Sequence, residues 1–267
     1  MKAVNCYFEP LFIEMERTLR NCEIKHMDET TLTVLEDKAN GKTNSYEWLM
    51  MSGKHESNQL ACFYYRDNRR HENVMQILDN PKGYVQSDGY QGYHELGDGC
   101  LNVGCMAHAR REVVRALDTK KEVYDKYRKI KNNEEKRLFL EKHSSLVQIV
   151  KLNDLINRLY SIEHDYTDKT TEEIYKIHQE KSKSILDEVF ICAKEISIQY
   201  LPQSAIGKAA NYLLNNEIYL RRYVDDGRLE IDNNRAERMI KPFVMVRKNF
   251  LFSNTKNGAK ASSINTH

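Results

Sequence analysis

A chain of 267 residues is long enough to bury a full core, and a formal net charge of +2 is too small to point to nucleic acid, so any basic surface must come from local clustering. Hydrophobic residues at 40% and charged residues at 30% exclude a disordered chain, and no apolar run is long enough for a membrane span. Six cysteines without a CxxC pair fit reduced thiols, and MKAVNCYFEP carries no signal-peptide pattern, so a cytoplasmic location is expected.

Phe8, Leu11, Phe12, Met15 and Leu19 recur at helical spacing, which predicts an amphipathic helix over residues 7–20, with Pro10 tolerable in its first turn. Three β-rich runs follow, EIKHMDETTLTVLED, SYEWLMMSG and QLACFYYRD, separated by polar turns, and read as three strands in a meander. A short helix over 72–78, a strand over 82–86, a strand over 100–104 and a helix from Met106 come next. Residues 118–143 are dominated by Lys, Glu, Asp and Asn and read as solvated helix. Further helical stripes run through Leu152, Leu155, Ile156 and Leu159, then from Ile174 to Ile196, the second opened by a Thr170/Glu173 capping box. A last helix over 205–214 completes an all-helical block. GRLEID then reads as a turn or short strand, followed by a helix starting near Asn233 or Asn234, which Pro242 is expected to kink or end. NTKNGAKASSINTH has little to bury, and Trp48 reads as core.

Residues 84–111, YVQSDGYQGYHELGDGCLNVGCMAHARR, gather an acid, a Gly-rich turn, cysteines, a histidine and paired arginines. Asp88 opens the Gly-rich turn at a strand end, where open α/β sheets keep their sites. Asp28 shares one strand face with Ile24 and His26, and Glu237 lies on the late helix. Taken singly, each reads as an exposed acid. Cys100, Cys105 and His108 suggest a zinc site, but the spacing supplies no nearby fourth ligand, and Cys105 reads better as a packed thiol.

HMDETTLTVLE, QSDGYQGYHEL, GCMAHARR and IDNNRAERMIKPFVMVRKNFLF occur in the order and at the spacing of the motif series of the IS66-type insertion-sequence transposases, and the chain resembles that family over nearly its whole length. The resemblance implies an α/β fold: a ribonuclease H-like mixed five-stranded sheet flanked by helices and interrupted by an all-helical insertion. The expected organisation is an N-terminal helix over 1–21, a first core part over 22–117, the insertion over 118–225, and a second core part over 226–267 carrying the late catalytic helix.

Carried over by position, the resemblance makes Asp28, Asp88 and Glu237 a catalytic triad that holds two Mg²⁺ ions, with Mn²⁺ as a substitute. Strand cleavage to a 3'-OH followed by strand transfer is in-line phosphoryl transfer, in which two ions about 3.5–4 Å apart stabilise the attacking and leaving oxygens. Mg²⁺ prefers carboxylate and water oxygens, and Asp28 is the expected bridge. His108 is expected near the scissile phosphate as a catalytic group; catalytic, metal-binding and structural roles stay open for it and for Cys105. Arg110, Arg111, Arg238, Lys241, Arg247 and Lys248 flank the proposed ligands and are expected to track DNA phosphates, against the plainer reading of solvated helix charges. Asn233 and Asn234 are expected to cap the late helix.

The implied partners are DNA, as element ends and as target, a further copy in an oligomer on DNA, and small accessory proteins of the same element, with no membrane. Full members of the family carry an N-terminal region with a helical DNA-binding part and a cysteine-rich segment, so truncation is expected here. The alternative reading is therefore a truncated, non-transposing remnant that only binds DNA or a partner. A glycosidase with a carboxylate pair is disfavoured by the single tryptophan and by the arginines around the acids.

Overall fold

Two compact units divide the chain, Met1–Gly104 with Asp232–His267, and Cys105–Ile231. The computed structural model describes residues 8–42, 44–166, 168–250 and 252–265, and of residues 145, 246–250 and 265 the backbone alone.

The first unit opens with α1 (Glu9–Asn21), whose first turn accommodates Pro10, and continues through β1 (Ile24–Leu32), α2 (Leu35–Ala39), β2 (Ser45–Ser52), β3 (Ala61–Arg66), α3 (His71–Leu78), β4 (Gly83–Gln86) and β5 (Cys100–Val103). The strands form one mixed five-stranded sheet in the order β3-β2-β1-β4-β5. β1, β2 and β3 pair antiparallel, whereas β4 and β5 join parallel to β1 and to each other. The polar turns explain the meander, and the connection through α3 supplies the crossover that a parallel neighbour needs.

Alternation along the strands gives the sheet two apolar faces. On one, Met27, Trp48, Met50, Cys62 and Val85 pack with Leu19 of α1 and Val74, Ile77 and Leu78 of α3. Trp48 is fully buried, edge-on to the Tyr93 ring. On the other, Leu32, Leu49, Met51 and Phe63 pack with Ala236, Ile240 and Phe243 of α12 (Asn234–Phe250) and with Ala259 of α13 (Lys256–Asn265). Phe63 and Phe243 stack at 6.3 Å between ring centroids.

One expectation for the C-terminal part is corrected, and of the two effects expected of Pro242, a kink or an end, the end is excluded. The segment read as having little to bury forms α13, which lies on β3 and buries Ala259, Ser263 and Ile264. Small residues and one isoleucine suffice because the helix sits close to the strand. α12 does not end at Pro242 but runs to Phe250. Pro242 and Arg238 both lie on the exposed side of the helix, where the carbonyl that loses its amide partner meets water.

The second unit comprises α4 (Met106–Asp118), α5 (Lys121–Lys129), α6 (Asn133–Lys142), α7 (Ser144–His164), α8 (Thr171–Ile177), α9 (Lys183–Gln199), α10 (Ala205–Asn215) and α11 (Glu217–Arg221). Its core joins Leu152, Leu155, Ile156 and Leu159 of α7 to Leu186, Val189, Phe190 and Ala193 of α9. α4, which the sequence reading leaves with the sheet, packs on α7 and α10, so this unit begins at Cys105. The capping box at Thr170 and Glu173 is formed in both directions. A π turn over 178–182 separates α8 from α9 and sets buried His178 against Glu163, 3.0 Å away, between the rings of Tyr166 and Tyr223. GRLEID is a turn and not a strand. No helix among the described residues is long and apolar enough to cross a membrane.

Candidate active site

The parallel register of β1 and β4 sets His26 beside Gln86, and two residues further along each chain stand Asp28 and Asp88. Side-chain alternation puts Asp28 on the face that α12 covers, with Ile24 and His26, and turns Glu29 to the opposite face.

The start of α12 is fastened to β1 by Asn233, which is 1% exposed. Its side-chain N–H donates to the Met27 carbonyl at 2.7 Å, and its Oδ1 lies 2.8 Å from His26 Nδ1. Beside it, Asp232 Oδ1 accepts the Asn234 N–H at 3.0 Å. A buried amide carries both a donor and an acceptor, so Asn233 satisfies a strand carbonyl and a ring nitrogen at once. One turn on, the Glu237 N–H donates to the Asn233 carbonyl, and the half-buried Glu237 side chain is close enough to act on Asp28.

Asp28 registers the convergence. Its carboxyl is pushed up to about 8, first by burial, then by the charges of Glu29 and Asp88 and, least, of Glu237, while the Glu29 N–H donated to its Oδ1 at 2.9 Å pulls the other way. Glu29 is pushed up to about 7 by burial and by Asp88, against the opposing effects of Arg69 and Tyr93.

Asp88 is held on both oxygens. Oδ1 accepts the Tyr90 N–H at 2.9 Å, and Oδ2 accepts from Arg69 Nη2 at 3.2 Å. Arg69 also donates to Glu29, and its guanidinium lies 3.9 Å from the centre of the Tyr90 ring. Tyr93 donates its hydroxyl to the second Glu29 oxygen, and the Tyr90 hydroxyl donates to the Arg69 carbonyl. Glu29 and Arg69 escape the sequence reading because RDNRRH looks like a solvated turn. The available signal is Glu29 itself: a carboxylate next to Asp28 in a strand must point into the other apolar face, and there it needs a cation.

The basic residues divide. Arg238 and Lys241 are exposed on α12, and Arg235 donates to the Ser52 carbonyl and to Gln59. The side chains of Arg247 and Lys248 lie outside the described residues. His108, Arg110 and Arg111 belong to the second unit, in the first turns of α4. Arg110, exposed, donates to Asn157 of α7 at 2.9 Å and lies over the Tyr160 ring; Arg111 is exposed too. Cys105 is buried just ahead of α4, and Cys62 and Cys100 are packed into the apolar cluster beneath α1 and α3.

These features define an α/β protein whose acids meet where β1, β4 and a late helix come together, with a helical unit inserted in the chain before that helix. The chain belongs to the Transposase IS66 family, whose model matches residues 1–261. It is similar to two uncharacterized proteins of Sinorhizobium fredii: y4qI, 26% identical over 249 residues that cover 87% of this chain and 41% of the relative, and y4hP, 25% identical over 266 residues that cover 96% and 46%. The chain thus spans less than half the length of these relatives. No solved structure matches it.

Proposed function

We propose that the first unit is a ribonuclease H-like catalytic core, and that the chain is the catalytic region of a transposase that cleaves and joins DNA strands by divalent-metal-dependent phosphoryl transfer. One observation carries this reading: Asp28, Asp88 and Glu237, remote in sequence, come close enough that the charges of Asp88 and, least, of Glu237 add to burial and to the charge of Glu29 in raising the Asp28 carboxyl. Like charges gathered at that cost are what a divalent cation relieves, and the donor set, all carboxylate oxygen, suits a hard ion such as Mg²⁺, or Mn²⁺ in its place. Family membership supplies the substrate class.

Asp28, Asp88 and Glu237 would hold the ions. When bound, such ions stabilise the attacking and leaving oxygens of an in-line displacement at phosphorus. Asn233 and His26 keep the first turn of α12 on β1, so that Glu237 stays with Asp28. The Tyr90 N–H keeps the Asp88 carboxylate from rotating. Arg238 and Lys241, exposed one and four residues beyond Glu237, are proposed to track DNA phosphates, together with Arg111 and, from the family motif, Arg247 and Lys248. His108 is proposed as a catalytic partner on the strength of the GCMAHARR motif alone. Element ends and target DNA, a further copy of the chain on DNA, and small accessory proteins are the proposed partners.

The test is cleavage of pre-nicked element-end DNA with Mg²⁺ or Mn²⁺ by the wild-type chain and by Asp28→Asn, Asp88→Asn and Glu237→Gln. The expected result is cutting by the wild type alone, with DNA binding retained in all four. Metal-dependent cutting by any folded variant sinks the assignment, and binding without cutting by the wild type favours the remnant reading.

A further inference from the structure

Arg69 is a cation of the acid cluster. Its guanidinium bridges two carboxylates of different status, Glu29, whose side chain is 2% exposed, and Asp88, whose side chain is 21% exposed. The Glu29 end is the firmer: its carboxylate is buried, and Tyr93 takes the other Glu29 oxygen. The Asp88 end is a single 3.2 Å contact at the accessible side, made to the carboxylate that stands beside Asp28 across the sheet. The Tyr90 ring supports the guanidinium from its face, so the group can leave Asp88 without leaving its seat.

We propose that Arg69 is a positioning residue that acts as a resident counter-cation: it holds Asp88 Oδ2 while no divalent ion is bound, gives that oxygen up when one binds, and stays anchored on Glu29. The proposal rests on the metal-centre reading above. Its consequence is a weakened but reversible grip on metal, since an ion has to displace one hydrogen bond and approach a fixed positive charge. Glu29, which faces the opposite side of the sheet from Asp28, serves Arg69 and not the ion.

The test is Mn²⁺ binding by calorimetry to the wild-type chain, Arg69→Gln and Arg69→Lys, with folding checked by circular dichroism. Removing the charge in Arg69→Gln is expected to tighten Mn²⁺ roughly tenfold. Arg69→Lys keeps a charge on Glu29 but cannot fork across two carboxylates, and is expected to tighten it roughly threefold. Affinity equal to or weaker than wild type in the folded variants overturns the proposal, as does a loss of melting temperature with no change in affinity, which marks a purely structural bridge. Where the variants fail to fold, Mg²⁺ titration of the wild type decides: the Arg69 guanidinium ¹⁵N resonances shift with ion occupancy, and resonances that stay still overturn it. A wild type that binds no Mn²⁺ removes the metal-centre reading and the inference with it. Wild-type binding that Asp28→Asn abolishes, alongside unchanged Arg69 variants, removes the inference alone.

Discussion

Asn233 and His26, far apart in the chain, meet at 2.8 Å beneath the first turn of α12, and the same asparagine donates to the strand carbonyl next to Asp28. The position of Glu237 relative to Asp28 is therefore set by a buried side-chain amide. Asn233→Ala leaves the Met27 carbonyl and one His26 nitrogen short of this partner, and is expected to cost about 1–3 kcal/mol in urea unfolding. Asn233→Asp keeps the acceptor for His26 but loses the amide donor, and is expected to fall between the two. Unchanged stability in both variants shows that the helix is held by its apolar face alone.

Asp28 tests the electrostatic account. Its folded value lies above the ordinary carboxylate value of 3.8, so the native state favours the protonated form, and stability drains away as pH rises from about 4 towards 8. Asp28→Asn removes that drain. Metal-free Asp28→Asn is expected to melt roughly 2–4 °C above the wild type at pH 8 and level with it near pH 4. Mg²⁺ is expected to raise the melting temperature of the wild type and not of the variant. A variant less stable than wild type at pH 8 without metal contradicts the crowding of charges at this site.

Glu47 offers an independent pH test, away from the acids of the site. It is fully buried on β2, opposite Thr30 and Tyr65, with Ser263 of α13 and Arg66 of β3 as its opposing partners, and burial pushes its carboxyl up to about 8. The sign is that of Asp28: the cost grows as pH rises from the ordinary value of 4.5 to about 8 and is complete above it. Glu47→Gln is expected to gain on the order of 2 kcal/mol over the wild type at pH 9 and nothing near pH 4, read from urea midpoints at each pH. A gain that does not depend on pH points to packing instead of charge.

Gly83 starts β4, the strand that ends beside Asp88, with φ of +73°, and a Cβ there would stand 2.2 Å from the Glu23 carbonyl oxygen. Gly83→Ala is expected to lose more than about 1 kcal/mol through both the backbone conformation and the clash. Hydrogen exchange that quickens first in the amides of β4 and β5 locates the damage; uniform exchange across the sheet argues against it.

What the sequence disclosed follows from where physical constraints are local. Strand alternation with polar turns gives β2 and β3 at nearly their observed limits and the start of β1, whose β-rich run extends in sequence into what is helix α2, and the helical stripes of α7 and α9 are plain in spacing alone. Asp28 stands out because it occupies a strand position where apolar residues are the rule, and Asp88 because it opens a Gly-rich turn just past a strand end. Glu29 and Arg69 stay hidden because their partnership spans a meander, and an arginine in a polar loop looks the same whether it is solvated or buried against an acid. Asn233 shows the same ambiguity, since an asparagine before a helix suits a cap as well as a buried pin. The burial of α13 is missed because its packing needs small residues and not a hydrophobic stripe.

The Met106 N–H donates to the Ile231 carbonyl at 3.0 Å, so the helical unit closes on itself where it leaves the chain and where it returns. Such a unit behaves as a cassette, because its first and last residues are already neighbours and a few residues suffice to join Gly104 directly to Asp232. Insertions and deletions in relatives can therefore lengthen, shorten or exchange this cassette without rethreading the five strands, and the chemistry carried by the sheet can be inherited separately from whatever the helices bind.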